Sequence, residues 1–165
     1  MGSEMCIRDS VYVDKKADLD VAKKVVQNSK SRRPGICGAV ETLLIDKEFY
    51  NNQGNELINF LIANGIEIRA DKALFKNKSI VSVSDSDYGY EFLENILAVK
   101  VVEDIDAAIS HIRNFGSNHT DCILTEDKSA SDLFFKKLDS SILLCNASTQ
   151  FACLLYTSPS PRDIS

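Results

Sequence analysis

Apolar and polar positions alternate along the chain in blocks that predict strands and helices in turn. Val11 to Val13 form a short apolar run ending at Asp14. Asp18 then opens LDVAKKVVQNSK, in which Leu19, Ala22, Val25 and Val26 fall on one helical face. Ser31 to Gly38 (SRRPGICG) reads as a loop because of Pro34 and two glycines. Thr42 to Ile45 predicts a second strand, followed by a helix from about Lys47 to Asn64 with Leu57, Phe60 and Leu61 as its apolar stripe and Asn64-Gly65 as its stop. Ile66 to Ile68 and Ile80 to Val83 read as short strands on either side of a turn of helix within Asp71 to Asn77, and Ser84 to Tyr90 (SDSDYGY) as an exposed turn. Leu97 to Val102 is a strong strand pattern, and Asp104 to Phe115 an amphipathic helix with Ile105, Ala108, Ile109 and Ile112 on one face. Cys122 to Leu124 predicts a strand, about Lys128 to Leu138 a helix, and Ile142 to Cys145 a last strand. Apolar strands separated by helices of ~10–15 residues predict crossover units, hence one three-layer α/β domain with a mostly parallel sheet.

Composition narrows the class. The 165 residues suit one domain, and 44% hydrophobic with 26% charged residues argues against a disordered or fibrous chain. No stretch approaches the ~20 apolar residues of a membrane-spanning helix, so no membrane partner is expected. Nineteen basic against 24 acidic side chains leave a net charge of -5 and no nucleic-acid footprint. Five cysteines without C-x-x-C pairs indicate neither a zinc site nor a secreted disulfide framework, so a reduced, cytoplasmic setting is expected. Both ends, MGSEMCIRDS and CLLYTSPSPRDIS, lack periodicity and resemble translated sequencing-adapter read-through. The first also lacks the apolar run of a signal peptide. Residues 1–10 and 153–165 are therefore expected to lie outside the fold, and 11–152 to form it.

One thiol stands where chemistry is expected. Lys30, Arg32 and Arg33 place three positive charges within seven residues of Cys37, between glycines that allow close approach of a substrate. Neighbouring cations lower a thiol's pKa, the thiolate is the competent nucleophile, and arginine suits an anionic group such as a phosphate. The alternative is a small buried residue beside solvated basic side chains. Cys122 and Cys145 lie in apolar strands, where thiols are inert core residues. His111, beside an apolar stripe, reads as a surface or boundary residue, and His119, in the polar loop GSNHTD, stays open as a general acid. Glu41 and Glu91 are site carboxylates or ordinary solvated glutamates. No paired ligands at metal spacing occur, and no G-x-G-x-x-G or Walker sequence, so any nucleotide cofactor must be held mainly by something else.

The segment VYVDKKADLDVAKKVVQNSKSRRPGICGAVETLLID resembles the catalytic-domain entry of the gamma-glutamyl phosphate reductase (glutamate-5-semialdehyde dehydrogenase) family, within the aldehyde dehydrogenase superfamily. The resemblance rests on Tyr12, Val13, Asp14, Ala17, Asp18, Leu19, Ala22, Asn28, Lys30, Arg33, Pro34, Cys37 and Glu41 to Leu44. EFLENILAVKVVEDIDAAISHIRNFGSNHTDCILTED continues it, and Asn146 to Thr149 (NAST) closes it, so that about 11–151 is covered. It implies an aldehyde-dehydrogenase-like catalytic domain that reduces L-glutamyl 5-phosphate to the 5-semialdehyde with NADPH in proline biosynthesis, by way of a thioester on Cys37. By the same resemblance Arg33 orients the phosphoryl group, Asn28 braces the loop and Glu91 touches the cofactor; the backbone N–H of Cys37 is the natural oxyanion donor. The full-length enzyme is expected to be a homo-oligomer.

Gly38 stands where the family usually has asparagine, and Gln150 where it has arginine; from about Ala152 the similarity ends. The family's cofactor-binding portion and its C-terminal part have no counterpart in the chain, so 11–152 reads as a catalytic domain truncated at its C-terminal end, expected not to turn over alone. Three alternatives stay open: the reductase half of a fused glutamate kinase–reductase, another thiol-dependent aldehyde dehydrogenase, and a non-catalytic domain of the same fold.

Overall fold

The computed structural model describes residues 9–31, 40–89, 95–115, 120–140 and 142–147. Among these residues seven strands form one sheet: β1 (Asp9–Val13), β2 (Val40–Asp46), β3 (Glu67–Ala70), β4 (Val81–Ser82), β5 (Ile96–Val102), β6 (Thr120–Leu124) and β7 (Ile142–Cys145). Their order is β4-β3-β5-β2-β1-β6-β7, and every pairing is parallel. In β1, β2 and β6 every residue is buried, as strands covered on both faces require, whereas the edge strand β4 is exposed.

Alternation along each strand feeds two helical layers. Val11, Val13, Leu43 and Ile45 pack with Ala22, Val25 and Val26 of α1 (Leu19–Ser31) and with Leu57, Ile58 and Leu61 of α3 (Asn55–Ala63). Tyr12, Leu44 and Ile123 face the other way, onto Ala108, Ile109 and Ile112 of α4 (Ile105–Phe115) and Phe134 of α5 (Lys128–Lys137). The result is the three-layer α/β arrangement expected from the periodicity.

Aspartates start four of the helices. Asp18 accepts from Val21 N (3.0 Å), Asp46 from Glu48 N (2.7 Å), Asp104 from Ala107 N (2.9 Å) and Asp127 from Ser129 N (2.9 Å). Asn64-Gly65 ends α3 as expected. Gly65 sits at φ 86, its N–H donates to Ile62 O (3.0 Å) and that of Ile66 to Leu61 O (3.2 Å), a Schellman motif.

Four local expectations need correction. β1 begins at Asp9, so Asp9 and Ser10 belong to the fold; their backbones pair with β2, and Ser10 also with β6, whatever their side-chain polarity. The helix after β2 is not continuous: α2 (Lys47–Phe49) passes through a π-helical turn, Tyr50–Gly54, before α3. Gly54 is required there, because a Cβ would lie 2.8 Å from the Tyr50 ring. Asp71 to Asn77 forms turns without a helix, with Asp71 accepting from Ala73 N (2.9 Å). Within Asp85–Gly89, a 3₁₀ turn, Tyr88 is buried and packs on Ala98, so that stretch is not wholly exposed.

Candidate functional site

The segment that carries Cys37 joins the end of α1 at Ser31 to the start of β2 at Val40. Cys37, Arg33, Glu91 and His119 lie outside the described residues, while Lys30 and Glu41, on either side of Cys37 in the chain, lie within them. Lys30, in the last turn of α1, donates from Nζ to Glu41 Oε1 at 2.8 Å, and the two side chains are 0% and 1% exposed. Lys30 is therefore not a solvated cation beside the thiol, nor Glu41 a surface carboxylate: each neutralises the other in the interior. Asn28 stays exposed on α1.

Other polar side chains are buried at this amino edge of the sheet. Asp9 and Thr120 begin β1 and β6, Asp121 follows Thr120, and Ser140 precedes β7; all four are buried. Ser140 Oγ donates to Asp121 Oδ2. None of these residues, nor Lys30 or Glu41, is without a partner, as burial demands. The sequence did not reveal this layer, because Asp9 falls in the terminal string expected to lie outside the fold and Asp121 looks like an ordinary polar flank of an apolar run.

The carboxyl edge holds a second polar cluster, also missed. Tyr12 Oη lies 3.1 Å from Asp14 Oδ1 and 3.3 Å from Asp46 Oδ2, and Thr125 Oγ1 donates to Asp14 Oδ2 at 2.8 Å. Burial, reinforced by both carboxylates, pushes the Tyr12 hydroxyl far above its ordinary range, so it stays protonated. Burial also raises the Asp46 carboxyl, with the charge of Asp14 adding to it; backbone N–H bonds from Glu48 and Phe49 and the Tyr12 hydroxyl pull the other way. The signal was present in the strings VYVD and LLID, where an aspartate closes each central strand. Beside the cluster lies a cleft of about 320 Å³ whose lining includes Asp14, Asp46, Glu48, Glu103 and Asp104 against Lys15 and Lys47. Asn146 of the NAST string, at φ 56, fastens the neighbouring turn: its side chain accepts from Thr125 N (3.0 Å) and donates to Thr125 O (2.9 Å).

The two thiols among the described residues, Cys122 and Cys145, lie in β6 and β7, the first buried and the second half-buried. Cys122 is fully buried, donates to Ala147 O at 3.1 Å, and has its thiol pushed up to about 12 by burial. Burial also raises the Cys145 thiol. His111 is not a surface residue: it is 6% exposed, with its ring 5.1 Å from that of Tyr88 and 4.6 Å from that of Phe115. Neither ring nitrogen has a hydrogen-bond partner among the described residues, and burial, aided by Lys100, lowers its pKa to about 4. Among the described residues, no helix is long and apolar enough to cross a membrane.

No family model matches the chain. A curated gamma-glutamyl phosphate reductase of Rhodopseudomonas palustris (strain TIE-1) is 47% identical over 143 residues, which are 86% of this chain and 33% of that protein. The crystal structure of a gamma-glutamyl phosphate reductase from Thermotoga maritima superposes with a TM-score of 0.82 at 32% identity, over 88% of this chain and 35% of that one. A Rhodopseudomonas palustris propionaldehyde dehydrogenase shares the fold at a TM-score of 0.68 and 19% identity, over 88% of this chain and 40% of that one. The chain thus spans about a third of the length of the reductases it matches. At 47% identity over 86% of its length to one such reductase, and with a TM-score of 0.82 to the structure of another, the chain belongs to the gamma-glutamyl phosphate reductase family.

Proposed function

We propose that the chain supplies the nucleophile-bearing part of an enzyme that converts L-glutamyl 5-phosphate to L-glutamate 5-semialdehyde in proline biosynthesis. The observation that carries this reading is the 47% identity to a gamma-glutamyl phosphate reductase across 143 residues. The raised thiols of the buried Cys122 and the half-buried Cys145 add support by leaving Cys37 as the domain's candidate nucleophile.

In this reading the Cys37 thiolate attacks the acyl carbon, the bond from that carbon to the phosphate oxygen breaks, and inorganic phosphate leaves with the bonding pair. A thioester remains on Cys37. The backbone N–H of Cys37 donates to the oxyanion of the tetrahedral intermediate, Arg33 orients the departing phosphoryl group, and Asn28 braces the loop from α1.

The cofactor of this reading is NADPH, which supplies hydride when bound. The described residues do not fit a dinucleotide. The carboxyl edge, where doubly wound sheets hold one, presents a cleft lined mostly by carboxylates, and the helix starts there are already capped by Asp46 and Asp104. NADPH is therefore assigned mainly to residues beyond this chain, with Glu91 as a contact, and the steps carried by the chain end at the thioester. The whole enzyme is a cytoplasmic homo-oligomer in the same reading.

The test is a chimera in which residues 11–151 replace the matching region of the Rhodopseudomonas palustris reductase. Phosphate- and NADP-dependent oxidation of glutamate 5-semialdehyde is expected in the chimera and should fall by more than about 1,000-fold on Cys37→Ala. Activity that survives Cys37→Ala, or that prefers simple aldehydes without phosphate, would overturn the reading.

A further inference from the structure

We infer that the depression between the open side of β5 and α4 is a binding site for a small organic carboxylate, an inference that does not depend on the reading of Cys37.

Strand pairing opens the space. β2 pairs with β5 as far as Val102, whereas β3 pairs with it only through Ala98. Past Ala98, no strand among the described residues lies on that side of β5. Asn95 O accepts from Glu67 N at 2.8 Å and Val99 O from Tyr88 Oη at 3.4 Å, so alternate residues of this stretch turn their backbone groups toward the β3 side. Val101, next in that period, presents its N–H where β3 has already turned away. The gap is a depression of about 310 Å³ whose lining includes Lys100, Val101, Ala107, His111, Asn114 and Phe115.

His111 makes the depression more than a gap. It is 6% exposed, and neither ring nitrogen has a partner among the described residues. Buried polar groups in folded proteins are nearly always satisfied. A neutral imidazole in a cavity wall, with one donor and one acceptor unused, calls for a group that completes it. Both nitrogens are shielded from water as the chain stands, with the half-buried Phe115 ring 4.6 Å from the imidazole. A ligand that displaces Phe115 gives the imidazole the partner it lacks.

The walls select the chemistry. Val101, Ala107 and Phe115 supply apolar surface, while the Lys100 ammonium, the Val101 N–H and the Asn114 amide supply donors. Lys100 lies over the Tyr88 ring at 5.4 Å, and that ring is 5.1 Å from His111. Glu103, also in the lining, has its charge met by Lys47 at 3.6 Å. Donors in excess beside an apolar wall suit a carboxylate carried on an apolar or aromatic body.

The experiment titrates the 165-residue chain with sodium benzoate at pH 7 and follows its two histidines by NMR, the His111 signal being the one missing from His111→Leu. A saturating shift of the His111 signal is expected, with a Kd of about 1–10 mM. Benzamide, the uncharged counterpart, should bind at least about tenfold more weakly. Lys100→Met, which removes the ammonium, and Ala107→Leu, which fills the depression, should each raise the Kd for benzoate at least about fivefold. Should Ala107→Leu fail to melt cooperatively, Lys100→Met decides alone. A response that never saturates overturns the site, as does a shift confined to His119 or a Kd unchanged in the folded variants. Equal binding of benzamide overturns the assignment to carboxylates.

Discussion

Replacing His111 by leucine should remove a defined part of the chain's acid sensitivity. In the folded chain the ring is packed against Tyr88 and Phe115, both nitrogens lack partners among the described residues, and protonation is held off until about pH 4. The ordinary value is 6.5. Between those limits the unfolded chain takes up a proton that the folded chain refuses, so the stability of the neutral buried ring is complete above pH 6.5 and is lost as the pH falls toward about 4. At about 1.4 kcal/mol per pH unit, that window amounts to about 3 kcal/mol. Carboxylates titrate nearby in pH, so the informative quantity is a difference. Urea unfolding followed by circular dichroism at pH 7.0 and pH 4.5 is expected to show the original chain losing about 2.5 kcal/mol more than His111→Leu over this interval. The charge of Lys100 acts on the ring, and Glu103 borders the same depression. Lys100→Met should raise the His111 midpoint only in part, because burial is the larger cause. Parallel losses in the original chain and in His111→Leu would refute the reasoning, as would a histidine C–H resonance of His111 titrating near 6.5.

Two further outcomes follow from the sheet. Asp46→Asn keeps the acceptor for Glu48 N but removes a charge that burial and Asp14 disfavour. A raised carboxyl aids the fold below its unfolded value of 3.8, and that aid is lost as the pH rises through the folded value. Thermal melts should therefore show the variant gaining on the original chain at pH 7 and not at pH 3; a gain confined to pH 3 would contradict the assignment. Cys122, fully buried with its thiol pushed up to about 12, should resist iodoacetamide at pH 8 until the chain unfolds, and prompt labelling of its peptide in the native chain would show that β6 is not sealed.

Strand and helix identities were legible because each depends on a period within one short stretch. VYV, TLLI, LAVKVV and ILLC read as buried strands without reference to anything else, and Asn64-Gly65 announced its helix end through the one residue able to take φ 86 without strain. The family likeness was legible for a related reason: Asn28, Lys30, Arg33, Cys37 and the E-T-L-L run stand at spacings that chance seldom reproduces. The break at Tyr50–Gly54 was not, because no period along the chain marks it; in the fold Tyr50 meets Phe75, beyond α3 and β3, with ring centroids 5.4 Å apart.

Charge was where local reading failed. A lysine beside two arginines looks like part of a basic patch, and only the packing of α1 against β2 turns it into half of a buried pair with Glu41. A histidine on a helix flank looks exposed until Tyr88 arrives from a turn distant in sequence to cover it. Tyr12, Asp14 and Asp46 are unremarkable until β1 and β2 lie side by side and one hydroxyl faces two carboxylates. The sequence alone determined the alternation of elements, the parallel α/β class and the identity of the candidate thiol, since these follow from neighbours along the chain. Only the tertiary structure decided which ionisable groups lose their water and which charge each of them then meets, because desolvation and Coulomb energy depend on distances through space.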